Sequence, residues 1–306
     1  MASPILKWAG GKRQLLDELH ARCPESYNHY HEPFFGGGAL FFDIEPDRGT
    51  INDTNTRLIN FYRQARDRPS ELIERCRKFR NPESEPNEAL GYSETNHKGK
   101  EIKNYYYQQR ARFNRRPYGE EFDELEEAAL LLYLNRTCYN GLYRENSNGG
   151  FNVPIGRYAN PDWVRAEEVR EASRVLESVK IHNDDFEYIL EGASENDLVY
   201  FDPPYEPMSA TAYFTDYSAE GFGKQDQERL LGIAQELDQR GVFVILSNSG
   251  VMYEMYDGAE FYVEIEGATR AINSDADNRD EVDEIIATNV PPETRKRAGQ
   301  QGLADF

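Results

Sequence analysis

The sequence predicts an α/β fold: a mostly parallel sheet with helices on both faces, interrupted by a mostly helical inserted domain. Three observations carry this. Short apolar runs alternate with amphipathic stretches up to residue 60 and again from residue 166. Those runs end in Gly, Pro or an acid, which punctuate strand-to-helix turns. Between them, over residues 61–165, the alternation stops and helical patterns rich in Arg, Tyr and Glu take over. The domains are therefore drawn as 1–60 with 166–306 for the sheet, and 61–165 for the insertion.

The elements follow in order. The chain opens on Lys7-Trp8-Ala9-Gly10-Gly11-Lys12, and a helical stretch runs on to about His20. Glu32-Pro33-Phe34-Phe35-Gly36-Gly37-Gly38-Ala39-Leu40-Phe41-Phe42 reads as a strand end, a glycine turn and a helix start. Thr50-Ile51-Asn52-Asp53 reads as a second strand closing on an acid, with a helix beginning at Thr54 or Asn55. Helical patterns then continue to about Leu134, and Glu120, Glu121, Glu124, Glu126 and Glu127 crowd one helix. A polar segment rich in Gly and Asn covers residues 135–158. Val179-Lys180-Ile181-His182 is a strand, with a helix after Asp184-Asp185-Phe186. Leu198-Val199-Tyr200-Phe201 is wholly apolar, as a strand buried on both faces requires. An amphipathic helix (225–240) leads to the apolar strand Val242-Phe243-Val244-Ile245-Leu246. Residues 261–265 and 282–288 form a closing antiparallel pair, and the tail after Pro291 is predicted to be mobile.

Composition restricts the partners. The 306 residues carry a net charge of -20 and are 39% hydrophobic. At ordinary ionic strength such a charge argues against a nucleic-acid partner. Arginine, however, outnumbers lysine among the 35 basic residues, and the acids are spread along the whole chain. This reads as adaptation to very high salt. At ~1 M salt the Debye length is only ~3 Å, so repulsion from DNA is screened. An acidic enzyme without salt adaptation stays open as the alternative. No apolar run is long enough to span a membrane and no leader pattern opens the chain, so a cytoplasmic protein is expected. Cys23, Cys76 and Cys138 are odd in number and lack metal-ligand spacing, so reduced thiols and no metal are expected.

Asp202-Pro203-Pro204-Tyr205 is the most informative stretch. It follows a buried strand, at the sheet edge where open α/β folds bind ligands. It offers a carboxylate acceptor, a proline carbonyl that no local N–H claims, and an aromatic face. Those groups suit a planar amine such as the exocyclic NH2 of adenine; the alternative is a Pro-rich turn. Phe35-Gly36-Gly37-Gly38 lets backbone approach a ligand closely, and Asp53 at the next strand end can accept from ribose hydroxyls. Together they point to an adenosine-containing cofactor, against a tight turn with a helix cap at Asp53. Gly10-Gly11-Lys12 lacks the earlier glycine and the following Ser or Thr of a phosphate loop. Asp184-Asp185-Phe186 reads equally as a cleft edge or as a helix cap followed by a core aromatic. In residues 135–158, Arg and Asn are the side chains that read guanine and adenine edges. Aromatics and leucine there can wedge or stack on bases. Asn146-Ser147-Asn148 suggests a hairpin tip; the alternative is a polar surface loop.

In these motifs the chain resembles the Dam-type DNA adenine-N6 methyltransferases of the alpha group, nearly end to end. The resemblance extends to Ser209-Ala210-Thr211-Ala212-Tyr213-Phe214, to Ser247-Asn248 and to the run from Arg270 through Arg279. It implies a Rossmann-like sheet dependent on S-adenosylmethionine, with the insertion as target-recognition domain. Trp8, Gly10, Lys12, Phe35, Gly36, Asp53, Asp185, Phe186 and Asp202 would meet the methyl donor. Asp202, Pro203 and Tyr205 would act on a flipped adenine. Arg136, Tyr139, Asn140, Leu142, Arg144, Asn146, Pro154, Arg157, Arg270 and Arg279 would contact duplex DNA, most closely as in enzymes acting on GATC. No metal and no obligate protein partner are implied. The salt reading suggests a halophilic archaeon or its virus. One departure stands out: the late segment, basic in relatives, here reads Ser274-Asp275-Ala276-Asp277-Asn278. A dinucleotide oxidoreductase would use the glycine turn and Asp53, but needs neither Asp202-Pro203-Pro204-Tyr205 nor the Arg/Asn/Tyr segment. A non-catalytic DNA-binding relative and a cytosine-N4 methyltransferase are further alternatives.

Overall fold

A computed structural model describes residues 2–95, 99–116, 122–205, 222–268 and 282–296. The first half of the chain forms helix α1 (Leu16–Arg22), strand β1 (Tyr30–Glu32), α2 (Ala39–Ile44), β2 (Gly49–Asn52), α3 (Thr56–Asp67), α4 (Pro69–Arg77), α5 (Tyr105–Phe113) and α6 (Glu124–Thr137). The second half forms α7 (Ala166–Leu176), β3 (Val179–His182), α8 (Ile189–Gly192), β4 (Leu198–Phe201), α9 (Lys224–Gln239), β5 (Phe243–Ser249), α10 (Tyr253–Asp257), β6 (Tyr262–Ala268) and β7 (Val282–Thr288). The predicted elements are present, with shifted ends. Two compact units result: Met1–Gly11 with Asn55–Glu177, and Lys12–Thr54 with the described residues from Ser178 onward.

The second unit is one seven-stranded sheet of order β3-β2-β1-β4-β5-β7-β6. The five strands from β3 to β5 are parallel. The last two join as the predicted antiparallel pair, with β7 inserted beside β5. β4 is buried at all four positions, which explains its unbroken apolar sequence. From α9, Leu230, Ile233, Ala234 and Leu237 pack into a core with Val199, Phe201, Val244, Leu246 and Ile285. Burying each of the leucines is worth roughly 1.5–3 kcal/mol. The order reverses between β1 and β4, because β2 and β3 lie to one side of β1 and β4 and β5 to the other. A crevice at the carboxyl ends belongs at such a reversal.

The tail corrects one expectation. Residues 292–296, predicted to be mobile, are tied down. Glu25 N–H donates to the Thr294 carbonyl at 3.0 Å and Lys296 N–H to the Cys23 carbonyl at 2.9 Å. Arg295 pairs with Glu264 at 2.8 Å, and Arg22 with the same carboxylate at 2.5 Å. Sequence polarity alone does not reveal a partner that lies on a distant strand.

The first unit is mostly helical. Asn55 caps α3 by accepting from the Arg57 and Leu58 N–H groups, each at 3.1 Å. The alternative of a cap at Asp53 is therefore wrong. Asp123 caps α6 through Glu126 N–H at 2.7 Å, and the acids of the first turn suit the helix dipole. α6 is apolar almost all round because it is the buried centre, packed against α3, α4 and α5. Among the described residues no helix is long and apolar enough to cross a membrane.

Candidate active site

Parallel pairing brings the ends of β3, β2, β1 and β4 to one sheet edge, and the described candidate residues that follow these strands lie there. Asn52, fully buried at the end of β2, stitches three of these ends together. Its Nδ2 donates to the Pro33 carbonyl at 3.0 Å and to the Asp184 carbonyl at 2.9 Å. Its Oδ1 accepts from Asp184 N–H at 2.8 Å. Sequence reading passed over Asn52, since its partners lie far along the chain.

The glycine turn follows β1. Phe35 N–H donates to the Asn52 carbonyl at 2.8 Å, and Gly38 N–H to the Phe35 carbonyl at 2.7 Å. Gly38 has φ +65, and a Cβ there would sit 2.5 Å from the Phe35 ring, so only glycine fits. Gly36 N–H donates to Asp53 Oδ2 at 3.0 Å. The structure thus brings the glycine turn and the acid of the next strand into direct contact.

After β3, Asp185 accepts from Glu187 N–H at 2.9 Å, capping a short turn, and pairs with Arg229 at 2.9 Å. Phe186 is buried against Phe34, with centroids 5.1 Å apart. The Arg229 guanidinium lies 4.2 Å from the centroid of the Phe186 ring. In the fold, Asp185 thus caps a turn and Phe186 packs as a core aromatic.

At the end of β4, Asp202 Oδ1 meets Lys12 Nζ at 2.9 Å; the lysine side chain is 4% exposed and the aspartate 21%. Ser247 Oγ donates to the same oxygen at 3.1 Å. Register explains the second bond: Phe201 pairs with Leu246, so the next residues, Asp202 and Ser247, are neighbours. Tyr200 OH shares a 2.8 Å bond with Ser247 Oγ. Lys12 Nζ also lies 4.3 Å from the centroid of the Tyr205 ring. Burial opposes the Lys12 charge, but Asp202, Tyr205 and Glu284 outweigh it, and its pKa is held above the ordinary range. Burial pushes the Asp202 carboxyl up, while Lys12 and the Ser247 hydroxyl pull against that shift and favour its charged, accepting form. Among the described residues no donor reaches the Pro203 carbonyl. Glu32, buried on β1, accepts from Tyr30 OH at 2.7 Å. Burial and the nearby Asp202 charge push its pKa well up.

The helical unit carries the other set. Asn135, 1% exposed at the end of α6, clasps the N-terminal segment. It accepts from Lys7 N–H at 2.8 Å and donates to the Lys7 carbonyl at 2.7 Å and the Gly141 carbonyl at 3.1 Å. Gly141 has φ +69, and a Cβ would lie 2.4 Å from the Lys7 side chain. Trp8 stacks on Tyr143 at 5.1 Å, and Gly10 is exposed. Residues 138–155 then form a two-bridge hairpin, with Cys138 opposite Ile155 and Glu145 opposite Phe151. Asn146 closes its tip, where Oδ1 accepts from Asn148 N–H at 2.9 Å and Gly150 N–H at 3.0 Å. Tyr139, Asn140, Arg144, Asn146, Pro154 and Arg157 are exposed, while Arg136 and Leu142 are half-buried. Arg144 Nε donates to Asn152 at 2.7 Å, and Arg136 Nε to the Asp162 carbonyl at 3.3 Å. Lys7, which sequence reading left out of the contacts, stands 4.5 Å over the Tyr158 ring. Burial and then the Arg136 charge lower its pKa. Arg270, Arg279 and the segment 209–214 lie outside the described residues.

Comparison with known proteins agrees with this layout. Residues 8–272 match the family described as D12 class N6 adenine-specific DNA methyltransferase. The chain is 43% identical to the Type II methyltransferase M1.LlaDCHI of Lactococcus lactis over 94% of this chain and 95% of the relative. It is 36% identical to the Type II methyltransferase M.MjaIII of Methanocaldococcus jannaschii, over 94% and 98%. It is 35% identical to the DNA adenine methylase of Escherichia coli, over 94% and 95%. The Asp202 to Tyr205 corner, the adjoining glycine turn with Asp53, and these matches along nearly the whole chain agree: this chain belongs to the D12 class of N6 adenine-specific DNA methyltransferases.

Proposed function

We propose that the chain transfers a methyl group from S-adenosylmethionine to N6 of adenine within GATC in duplex DNA, after turning the base out of the helix. The observation that carries this is the state of the corner. Asp202 is held by Lys12 at 2.9 Å and Ser247 at 3.1 Å, both favouring its charged form, beside a Pro203 carbonyl with no donor among the described residues.

The residues present fit the methyl donor. Asp53 is fixed at the sheet edge by Gly36 N–H, where a ribose would be met. The glycine turn lies against Asp53, and Asp185 and Phe186 stand at the neighbouring strand end, where an adenine would lie. Phe35, Gly36 and Lys12 would line the site in the sheet unit; Trp8 and Gly10 are assigned to the donor by the resemblance of their motif. S-adenosylmethionine supplies a sulfonium-activated methyl group.

The protein's part is positioning and electrostatics. The target amine is inaccessible inside a stacked duplex, so the base must leave it. Tyr205 stacks on the displaced ring. Asp202 and the Pro203 carbonyl accept the two N6 hydrogens, which turns the nitrogen lone pair out of conjugation. Asp202 need not be a strong base, because the nitrogen becomes acidic as it gains positive charge.

The helical unit acts as the target-recognition domain, with the hairpin from Arg136 to Arg157 as the DNA contact and Lys7 beside it. Arg270 and Arg279 add phosphate contacts. The GATC site rests on the resemblance of residues 135–158. Two relatives are named Type II methyltransferases, which favours a place in restriction–modification. The charge of -20 points to a halophilic source and a high salt optimum.

The test is plasmid methylation in molar salt, followed by a nuclease that cuts only methylated GATC. Cleavage is expected after the wild type and not after Asp202→Ala. Methyl incorporation without cleavage rejects the site; wild-type turnover by Asp202→Ala rejects the mechanism.

A further inference from the structure

The Asp202-Pro203-Pro204-Tyr205 corner has a mechanical weakness. Two successive prolines carry no N–H, so neither can be tethered by donating from its own backbone nitrogen. Lys12 and Ser247 hold Asp202, but they do not reach the second proline. Gln227 does: its Nε2 donates to the Pro204 carbonyl at 3.1 Å.

Gln227 lies on α9 and is fully buried. It occupies the same stripe as Leu230, Ala234 and Leu237, where helical periodicity calls for an apolar residue. A polar amide there loses its water and must be compensated by hydrogen bonds. Its orientation is dictated by its neighbours. Gln227 Oε1 accepts from Asn248 Nδ2 at 3.0 Å, which turns the Gln227 NH2 toward Pro204. Asn248 is fixed in turn: its Nδ2 also donates to Tyr256 OH at 3.0 Å, and its Oδ1 accepts from Ser249 N–H at 2.9 Å. Three buried side chains, from α9, β5 and α10, thus form a strut that ends on Pro204.

We infer that Gln227 is a positioning residue for methyl transfer, holding the Pro204–Tyr205 peptide so that the Pro203 carbonyl and the Tyr205 ring face the amine. The inference rests on reading the corner as the amine site. Without the strut the methyl donor still binds, but the amine is presented out of line. Misplacement by about 1 Å can cost about 100-fold in rate.

The experiment uses the full chain and a duplex with one target site. Gln227→Glu keeps the acceptor for Asn248 but sets a carboxylate oxygen against the Pro204 carbonyl; Gln227→Leu removes both bonds. Donor affinity, thermal midpoint and single-turnover methyl transfer are measured for each. Fluorescence of 2-aminopurine at the target position reports base stacking. The expected result is donor affinity within about 3-fold of wild type, a changed 2-aminopurine signal, and a rate lowered by about 10- to 100-fold. Tyr256→Phe, which leaves the Gln227–Pro204 bond in place, should show a smaller loss of the same kind. A folded Gln227→Leu with wild-type rate overturns the inference. So does a rate loss matched by equal losses of donor affinity and thermal midpoint, which marks a role in folding alone. If Gln227→Leu does not fold, wild-type turnover by both Gln227→Glu and Tyr256→Phe overturns it. A wild type that transfers no methyl group rejects the reading of the corner itself; an active wild type with a fully active Gln227→Leu rejects only the strut.

Discussion

Asn135→Asp changes one NH2 to an oxygen, and the structure sets its cost. Asn135 makes three hydrogen bonds, to the Lys7 N–H, the Lys7 carbonyl and the Gly141 carbonyl, at 2.8, 2.7 and 3.1 Å. Aspartate keeps the first and loses the other two, worth about 1 kcal/mol each. Its new oxygen then faces two carbonyl oxygens in a site that is 1% exposed, with no proton between them. Leaving those groups unsatisfied adds about 1–3 kcal/mol, nearer the lower end because Lys7 is only half-buried. The total is about 3–5 kcal/mol at neutral pH. That is a large part of the ~5–15 kcal/mol that typically holds a native protein together.

The loss has a defined pH dependence. Burial and the facing carbonyls raise the pKa of the new carboxyl above its unfolded value near 3.9. A raised carboxyl costs nothing below the unfolded pKa, and the cost grows as pH rises through the folded pKa. In acid, moreover, the protonated carboxyl can donate one bond again. Urea titrations of wild type and variant, in one salt buffer at pH 7.5 and pH 5, should show the gap narrowing at pH 5. DNA affinity should fall with it, because the clasp ties Lys7 to the hairpin. A gap under about 1 kcal/mol at pH 7.5, or an equal gap at both pH values, would refute the clasp as the source of stability.

Three further outcomes are expected. Ser247→Ala removes a donor from Asp202 and a partner from buried Tyr200, so it should cost about 1–3 kcal/mol in stability and slow methyl transfer; unchanged turnover would show that Lys12 alone suffices. Arg144→Ala should relax sequence preference with little loss of non-specific binding; a uniform drop across sequences would mark a phosphate contact instead. Glu32→Gln replaces a carboxyl whose pKa is pushed well up by burial. The native carboxyl weakens the fold as pH rises from its ordinary value of 4.5 toward the raised folded pKa, so the variant should lose less stability than wild type as pH rises above 4.5; a steeper loss in the variant would contradict this sign.

Much of the fold was legible along the chain because periodicity is local. The apolar run of β4, the amphipathic α9 and the hairpin tip at Asn146 each follow from residues within a few positions of one another. The caps show the limit of such reading. Asp53 and Asn55 both resemble helix caps, and local sequence does not choose between them; the structure gives the cap to Asn55 and the Gly36 N–H to Asp53. The tail after Pro291 looks free in sequence, yet Arg295 finds Glu264 on β6. Asn52 and Gln227 resemble ordinary polar residues until their distant acceptors are seen.

The sequence by itself determined the class of chemistry. An acid, two prolines and a tyrosine after a buried strand, a glycine turn with a following acid, and an Arg/Asn/Tyr segment are local patterns, and each residue type carries its own donors, acceptors and rings. Only the tertiary structure decided how those groups are held. Parallel pairing sets Asp202 beside Ser247, and folding brings Lys12 to the same carboxylate across most of the chain length. Burial then fixes the direction of each amide, since a buried amide must satisfy both its ends. Such bonds depend on register and on partners far away in sequence, which periodicity within one segment does not encode.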